Sequence, residues 1–97
     1  MKEESDKVKY RSKGRIFADI LKAVQEEDKA ITTHILYRSN LSHDRLSKYL
    51  QSLEEGGLLK RTEDKDKIYY EITDKGKHFL SEFQRMEVFV NGFGLDI

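Results

Sequence analysis

The chain has 97 residues, is 37% hydrophobic and 37% charged, and balances 18 Lys and Arg against 18 Asp and Glu. This length suits one domain, and the apolar share is too high for disorder throughout. With zero net charge and a pI of about 6.8, the chain has no bulk basic character to draw it to nucleic acid. Any DNA-facing surface must be made by folding basic side chains onto one face.

Other absences narrow the classes further. No apolar run approaches the roughly 20 residues of a membrane span. The sequence has no cysteine, which rules out disulfides and thiolate metal sites. The charged N-terminus lacks the apolar segment of a signal peptide, so an intracellular, cytoplasmic location is expected. Folding at this size buries only about 60–70% of the chain's surface, so association is a common supplement to stability. Proline is absent too, leaving glycine and asparagine to punctuate the elements.

Residues 1–11 carry an isolated Val and Tyr among charges and read as a flexible N-terminal arm. Residues 1–15 hold six basic side chains against three acidic ones. The first helix is expected from Arg15 to Glu27, with Ser12 placed to cap it. Ile16, Phe17, Ile20, Leu21 and Val24 form one broad apolar face. Its exit, Gln25 to Lys29, puts acids at the unfavourable end of the helix dipole, which predicts fraying of the last turn.

Ala30-Ile31 is a short apolar pair that can add a minimal third strand to a sheet. Thr32 or Thr33 is then expected to cap a second, short helix through Ile35, Leu36 and Tyr37. Asn40 is its expected left-handed C-cap. Leu41 drops toward the core, and Ser42 caps a third helix, where its hydroxyl can accept a free backbone N–H. In that helix Leu46, Leu50 and Leu53 make a single apolar stripe with Tyr49 beside it. Asp44, Ser47, Lys48, Gln51 and Glu55 lie opposite, with His43, Arg45 and Ser52 on the flanks. Gly56-Gly57 stops the helix. Only about three residues separate the second and third apolar patterns, the spacing of a helix-turn-helix.

Leu58 to Thr62 reads as a strand, Glu63 to Lys67 as a charged connector, and Ile68 to Thr73 as a second strand. Ile68, Tyr70 and Ile72 alternate with Tyr69 and Glu71. Thr73 is the expected cap of the last helix. There Phe79, Phe83, Met86 and Val90 recur at four, three and four, a seam flanked by Leu80 and Phe89. Such a seam predicts a partner helix, most simply the same helix of a second copy. The apolar residues of the tail after Asn91 suggest that it docks.

The fold expectation is therefore α+β: a winged helix-turn-helix with a three-helix core, a β-hairpin wing and a C-terminal dimerisation helix. The boundaries are an arm over 1–11, the winged domain over 12–73, and the helix and tail over 74–97. The run from Tyr37 to Ser42, the exit Leu53-Glu54-Glu55-Gly56-Gly57-Leu58-Leu59 and the stretch Tyr70-Glu71-Ile72-Thr73-Asp74-Lys75-Gly76 resemble one known family. It is the archaeal winged-helix regulators, MarR-like in broad architecture, which include small dimeric chromatin-associated proteins of crenarchaea and related viral or plasmid regulators. The resemblance covers roughly Arg15 to Phe83. It implies homodimers joined through the C-terminal helix and duplex DNA bound by the third helix and wing. The short seam and neutral charge depart from the chromatin-type members and favour a specific regulator, cytoplasmic and nucleoid-associated.

On this reading Ser42, His43, Arg45, Ser47, Lys48 and Gln51 face the major groove, and Thr32, Thr33, Arg38, Lys60, Arg61, Lys65 and Lys67 hold phosphates. Phe79, Phe83, Met86, Phe89 and Val90 join the dimer. The alternative is a winged-helix protein–protein interaction module that binds no DNA. An enzyme is not expected: there is no Walker loop or nucleophile elbow, and Gly92-Phe93-Gly94 lacks the third glycine of a dinucleotide fingerprint. His34, His43 and His78 do not share metal-ligand spacing with carboxylates. No cofactor, metal or small-molecule ligand is predicted.

Overall fold

The computed structural model describes residues 11–97; of the arm expected over 1–11, residues 1–10 lie outside them. Four helices and three strands follow in the order α1 (Lys13–Gln25), β1 (Ala30–Ile31), α2 (Thr32–Ser39), α3 (His43–Glu55), β2 (Leu59–Asp64), β3 (Lys67–Ile72) and α4 (Asp74–Asn91). The strands form one antiparallel sheet in the order β1-β3-β2. The winged helix-turn-helix expectation holds, including the minimal third strand, in which Ala30 pairs with Tyr70 and Ile31 with Tyr69.

Most element ends are set by caps visible in the sequence. Ser12 accepts the Arg15 N–H at 3.0 Å, and Ser42 accepts the Arg45 N–H at 3.3 Å. Thr73 accepts the Gly76 N–H at 3.0 Å and donates its hydroxyl to the Gly57 carbonyl at 2.6 Å. Each satisfies a backbone group that the first turn of a helix leaves unpaired. Asn40 takes the left-handed conformation at φ 56°, ψ 49°. Helix α3 ends in a Schellman motif: Leu58 N donates to Leu53 O at 2.8 Å and Gly57 N to Glu54 O at 3.0 Å. The motif needs the positive φ of 80° that Gly57 supplies.

Three expectations are corrected. Neither Thr32 nor Thr33 caps α2; Ile31 occupies the cap position without a side-chain bond, because β1 runs straight into the helix. The hairpin strands reach further than expected, pairing Asp64 with Lys67, so the connector shrinks to Lys65-Asp66. Both residues adopt positive φ, 52° and 73°, the mirror-image two-residue turn whose twist matches the flanking strands. Helix α1 ends at Gln25, two residues before the expected Glu27; Glu26 and Glu27, just beyond it, pair with Arg38 of α2, and Glu27 also meets His34 at 2.9 Å.

The core lies between the helices and one face of the sheet. Ile16, Ile20, Leu21 and Val24 of α1 meet Ile35, Leu46, Leu53 and Leu59, all at most 2% exposed, with Tyr70 and Leu80 closing the edges. Burying each large aliphatic side chain contributes about 1.5–3 kcal/mol. An aromatic chain ties the helices together: Phe17 meets Tyr49 edge-on at 5.5 Å and Phe79 at 6.4 Å, and Phe79 stacks on Phe83 at 6.3 Å. Arg11 is anchored: it pairs with Asp19 at 2.7 Å and donates to the Ser39 and Asn40 carbonyls at 3.0 and 3.2 Å. Its guanidinium thereby satisfies carbonyls left open at the end of α2 and pins α1 to the helix-turn-helix bend.

Helix α4 belongs to the body at its start and leaves it toward its end. Gly76 and Leu80 are buried, and Phe79, Phe83, Glu87 and Val90 are half-buried. Arg15 of α1 lies 5.5 Å from the Phe83 ring and pairs with Glu87. The first half of the expected seam, Phe79 and Phe83, thus packs on the protein's own α1. Met86, Val88, Phe89, Phe93 and Leu95 stay exposed. The tail turns back on the helix end, with Leu95 N donating to Val90 O at 3.2 Å and Phe93 meeting Phe89 edge-on at 5.2 Å.

Candidate nucleic-acid interface

The fold presents α3 with its leucine stripe inward and the opposite face to solvent. At about 100° per residue, Asp44, Lys48, Gln51 and Glu55 project directly away from Leu46, Leu50 and Leu53. Arg45 and Ser52 fall on the flank shared with Tyr49, and His43 and Ser47 on the other. Ser42, His43, Arg45, Ser47, Lys48 and Gln51 are all exposed. Gln51 donates to Glu55 at 3.2 Å, a surface bond that water or a base edge can replace. Arg45 lies 6.0 Å from the Tyr49 ring. The first two turns hold Arg45 and Lys48 against Asp44; the last turn carries Glu54 and Glu55. The basic end of the helix is therefore its N-terminal end, where backbone N–H groups also attract anions.

The wing has two faces because strand side chains alternate. On one, Arg61 lies opposite Tyr70 and pairs with Glu63 at 3.0 Å. On the other, Lys60 stands opposite Glu71 and Lys67 opposite Asp64. Lys65 sits in the turn beside Asp66. The wing thus carries four cations against the four acids Glu63, Asp64, Asp66 and Glu71, most of the cations with an acid alongside. Burial pushes the Tyr70 hydroxyl above its ordinary pKa, partly offset by the adjacent Arg61; the neutral phenol belongs to the core side of the wing.

The remaining expected phosphate contacts are spread over other elements. Thr32 is half-buried and Thr33 exposed in the first turn of α2, whose N–H groups have no side-chain cap. Arg38 stands at the other end of α2, engaged with Glu26 and Glu27, and lines a cleft with Asp19, Lys22, Ala23 and Glu26. The α3 residues share one helix and the wing lysines one hairpin; Arg38 joins neither group. Sequence reasoning also missed Lys13. It precedes the first apolar residue and belongs to no motif, yet it lines a cleft with Phe17, Arg45, Lys48, Tyr49 and Ser52.

A family model described as winged helix-turn-helix matches residues 10–90. An uncharacterized protein of Methanocaldococcus jannaschii is 30% identical over 81 residues, covering 84% of this chain and 78% of that protein. Among solved structures, Sso10a-2, a DNA-binding protein from Sulfolobus solfataricus, superposes with a TM-score of 0.75 at 27% identity, over 87% of this chain and 86% of its own. BpsR of Bordetella bronchiseptica, whose DNA binding is regulated by 6-hydroxynicotinic acid, gives a TM-score of 0.65 at 16% identity. It aligns over 78% of this chain and 54% of BpsR, and at that identity it shares the fold alone. Among the described residues no helix is long and apolar enough to cross a membrane. From the helix-turn-helix, the three-stranded wing and the match over residues 10–90, the chain belongs to the winged helix-turn-helix family.

Proposed function

We propose that the protein is a sequence-specific, double-stranded-DNA-binding transcription regulator that acts as a homodimer at the nucleoid. The observation that carries this reading is the outward face of α3. Ser47, Lys48 and Gln51 form a short polar surface with Ser42, His43 and Arg45 at the basic end, all exposed and backed by three buried leucines. Serine, lysine and glutamine can hydrogen-bond base edges in the major groove, which admits a helix. Lys60, Arg61, Lys65 and Lys67 then hold phosphates beside the groove, together with Thr32 and Thr33 at the uncapped start of α2, and they position the protein without reading sequence. Arg38, apart from both groups at the far end of α2, would hold a phosphate of its own by exchanging Glu26 and Glu27 for it. Such exposed ion pairs are worth only about 0–1 kcal/mol and exchange readily. The DNA-binding neighbour Sso10a-2, alike over 87% of the chain, supports the same assignment.

The dimer rests on the second half of α4. Met86, Val88 and Phe89, with Phe93 and Leu95 of the tail, are 52–72% exposed among the described residues. A second copy of the same helix would bury them, with Val90 alongside, while Phe79 and Phe83 support the helix from within each protomer. A symmetric dimer reads an inverted repeat with half-sites about one helical turn, or a multiple of it, apart.

One observation favours the interaction-module reading: Lys60 and Lys67 face Glu71 and Asp64 across the hairpin, and Arg61 pairs with Glu63. Selection of bound duplexes from a random pool separates the two. Lys48→Ala and Gln51→Ala should change the selected sequence. Lys65→Ala with Lys67→Ala should weaken all sequences alike and reduce the slope of log K against log salt by roughly 1–2. Equal effects of both sets on selected and random duplexes would contradict this division of roles, and the absence of any enriched sequence would favour the module.

A further inference from the structure

Five of the six arginines have a carboxylate within 4.0 Å: Arg11, Arg15, Arg38, Arg61 and Arg85. Arg45 has none among the described residues. It lies instead in a cleft of about 350 Å³ between the first turn of α1 and the flank of α3, lined by Lys13, Phe17, Arg45, Lys48, Tyr49 and Ser52. Among the described residues the lining holds three cations and no carboxylate. The cleft of similar size on the other side of α1 differs, since there Lys22 and Arg38 are matched by Asp19 and Glu26. In a chain of zero net charge, three cations gathered without an acid form a local positive site that folding alone creates.

The walls of this cleft are fixed. Phe17 and Tyr49 meet edge-on at 5.5 Å, and Phe79 backs Phe17 at 6.4 Å, so α1 and α3 cannot drift apart without breaking the aromatic chain. The Tyr49 ring lies 6.0 Å from the Arg45 guanidinium, and Ser52 offers a hydroxyl on the turn below. An oxyanion in this cleft would meet cationic donors from two helices, Lys13 of α1 and Arg45 of α3.

We propose that this cleft seats a backbone phosphate of bound duplex, which makes Lys13 of α1 a DNA-contacting residue and Arg45 a phosphate rather than a base contact. The inference rests on the DNA-binding reading above. A helix in the major groove is walled by the two phosphate backbones. The flank of α3 that carries Arg45 and Ser52 faces one wall, and Lys13 extends that contact beyond the helix onto α1.

The test is fluorescence anisotropy of a random duplex of about 30 base pairs, roughly three helical turns, titrated over a range of salt with the full chain. Each phosphate contact contributes about 0.9 to the slope of log K against log salt, so one lost contact lowers affinity about fivefold near 0.15 M salt. Lys13→Ala should show this loss and a slope reduced by about 1, equally on any sequence. Arg45→Ala should show the same loss without changing the sequence selected from a random pool. Ser52→Glu, which puts a carboxylate into the cleft, should weaken binding further. Lys22→Ala, on the same helix but in the acid-matched cleft, should leave the slope as it is.

Wild-type binding with an unchanged slope in Lys13→Ala would overturn the phosphate seat and leave the DNA-binding reading standing. So would an altered sequence preference in Arg45→Ala. Failure of the wild type to bind at low salt would instead defeat the DNA-binding reading itself. If inorganic phosphate at millimolar concentration protected the fold in a thermal melt, and did so equally in Lys13→Ala, the cleft would not be where the anion sits.

Discussion

Gly76→Ala is a sharp test of how the wing is joined to α4. Alanine is the better helix former by about 1 kcal/mol, so propensity alone says that this change stabilises α4. The structure says the opposite. A Cβ built on Gly76 would lie 2.3 Å from the Leu58 carbonyl oxygen and 2.8 Å from Cγ1 of Ile72, where ordinary contact is about 3.5 Å. The first obstacle is backbone and cannot rotate away. That carbonyl also accepts the Thr73 N–H at 3.1 Å, and the Thr73 hydroxyl donates to Gly57 O one residue earlier.

Relief requires moving the start of α4 about 1 Å away from the β2 entry, which strains or breaks both bonds at about 1 kcal/mol each. Overpacking adds about 1–3 kcal/mol. After the propensity gain, the net loss is about 2–4 kcal/mol. Because 1 kcal/mol shifts the midpoint by about 4–8 °C for a domain of this size, a fall of roughly 10–25 °C in Tm is expected. Circular-dichroism melts and urea titrations read it, the latter as a lower midpoint at unchanged m. A variant as stable as the wild type, or more so, would refute the close-approach account of this glycine.

Two further outcomes follow from the same structure. Burial raises the Tyr70 pKa, so folding favours the neutral phenol; this contribution is fully present below the ordinary tyrosine value of 10.0 and is lost as pH rises through the folded value. Tyr70→Phe should therefore narrow its stability gap to the wild type above that pH, and a gap that does not change with pH in chemical denaturation would contradict the buried hydroxyl. Val88→Glu combined with Phe89→Glu should turn a dimer into a folded monomer in size-exclusion chromatography with light scattering; an unchanged mass, or a wild type that is monomeric at micromolar concentration, would contradict dimerisation through α4.

The local signals were legible where one residue carries the physics. Ser12, Ser42 and Thr73 each have a hydroxyl placed to accept a first-turn N–H, and Asn40 is among the few side chains that tolerate the left-handed region. The leucine stripe of α3 is a single-element pattern and fixed the orientation of that helix. What was hidden depended on partners distant in sequence. The hairpin extends through Glu63 and Asp64, poor strand formers, because β3 pairs with them and Lys65-Asp66 supplies the turn without a glycine. Thr32 and Thr33 look like caps until β1 claims the residue before them. The acids just beyond α1 meet Arg38, 11 or 12 positions away, a partner that no local pattern announces. Phe79 and Phe83 show why an apolar stripe does not name its partner: the same spacing serves a coiled coil or the flank of the protein's own α1. The candidate site divides likewise. Helix α3 could be read from periodicity, whereas the Lys13 cleft exists only once α1 and α3 are packed.

The most direct measurement is the salt dependence of wild-type binding to a random-sequence duplex. The account expects a Kd of about 10⁻⁴–10⁻⁶ M near physiological salt, tightening steeply as salt is lowered because cations on α3 and the wing displace counterions from phosphates. No binding at low salt would contradict it, and so would binding indifferent to salt: either result would mean that the basic side chains of this neutral chain are not gathered into a surface that meets DNA.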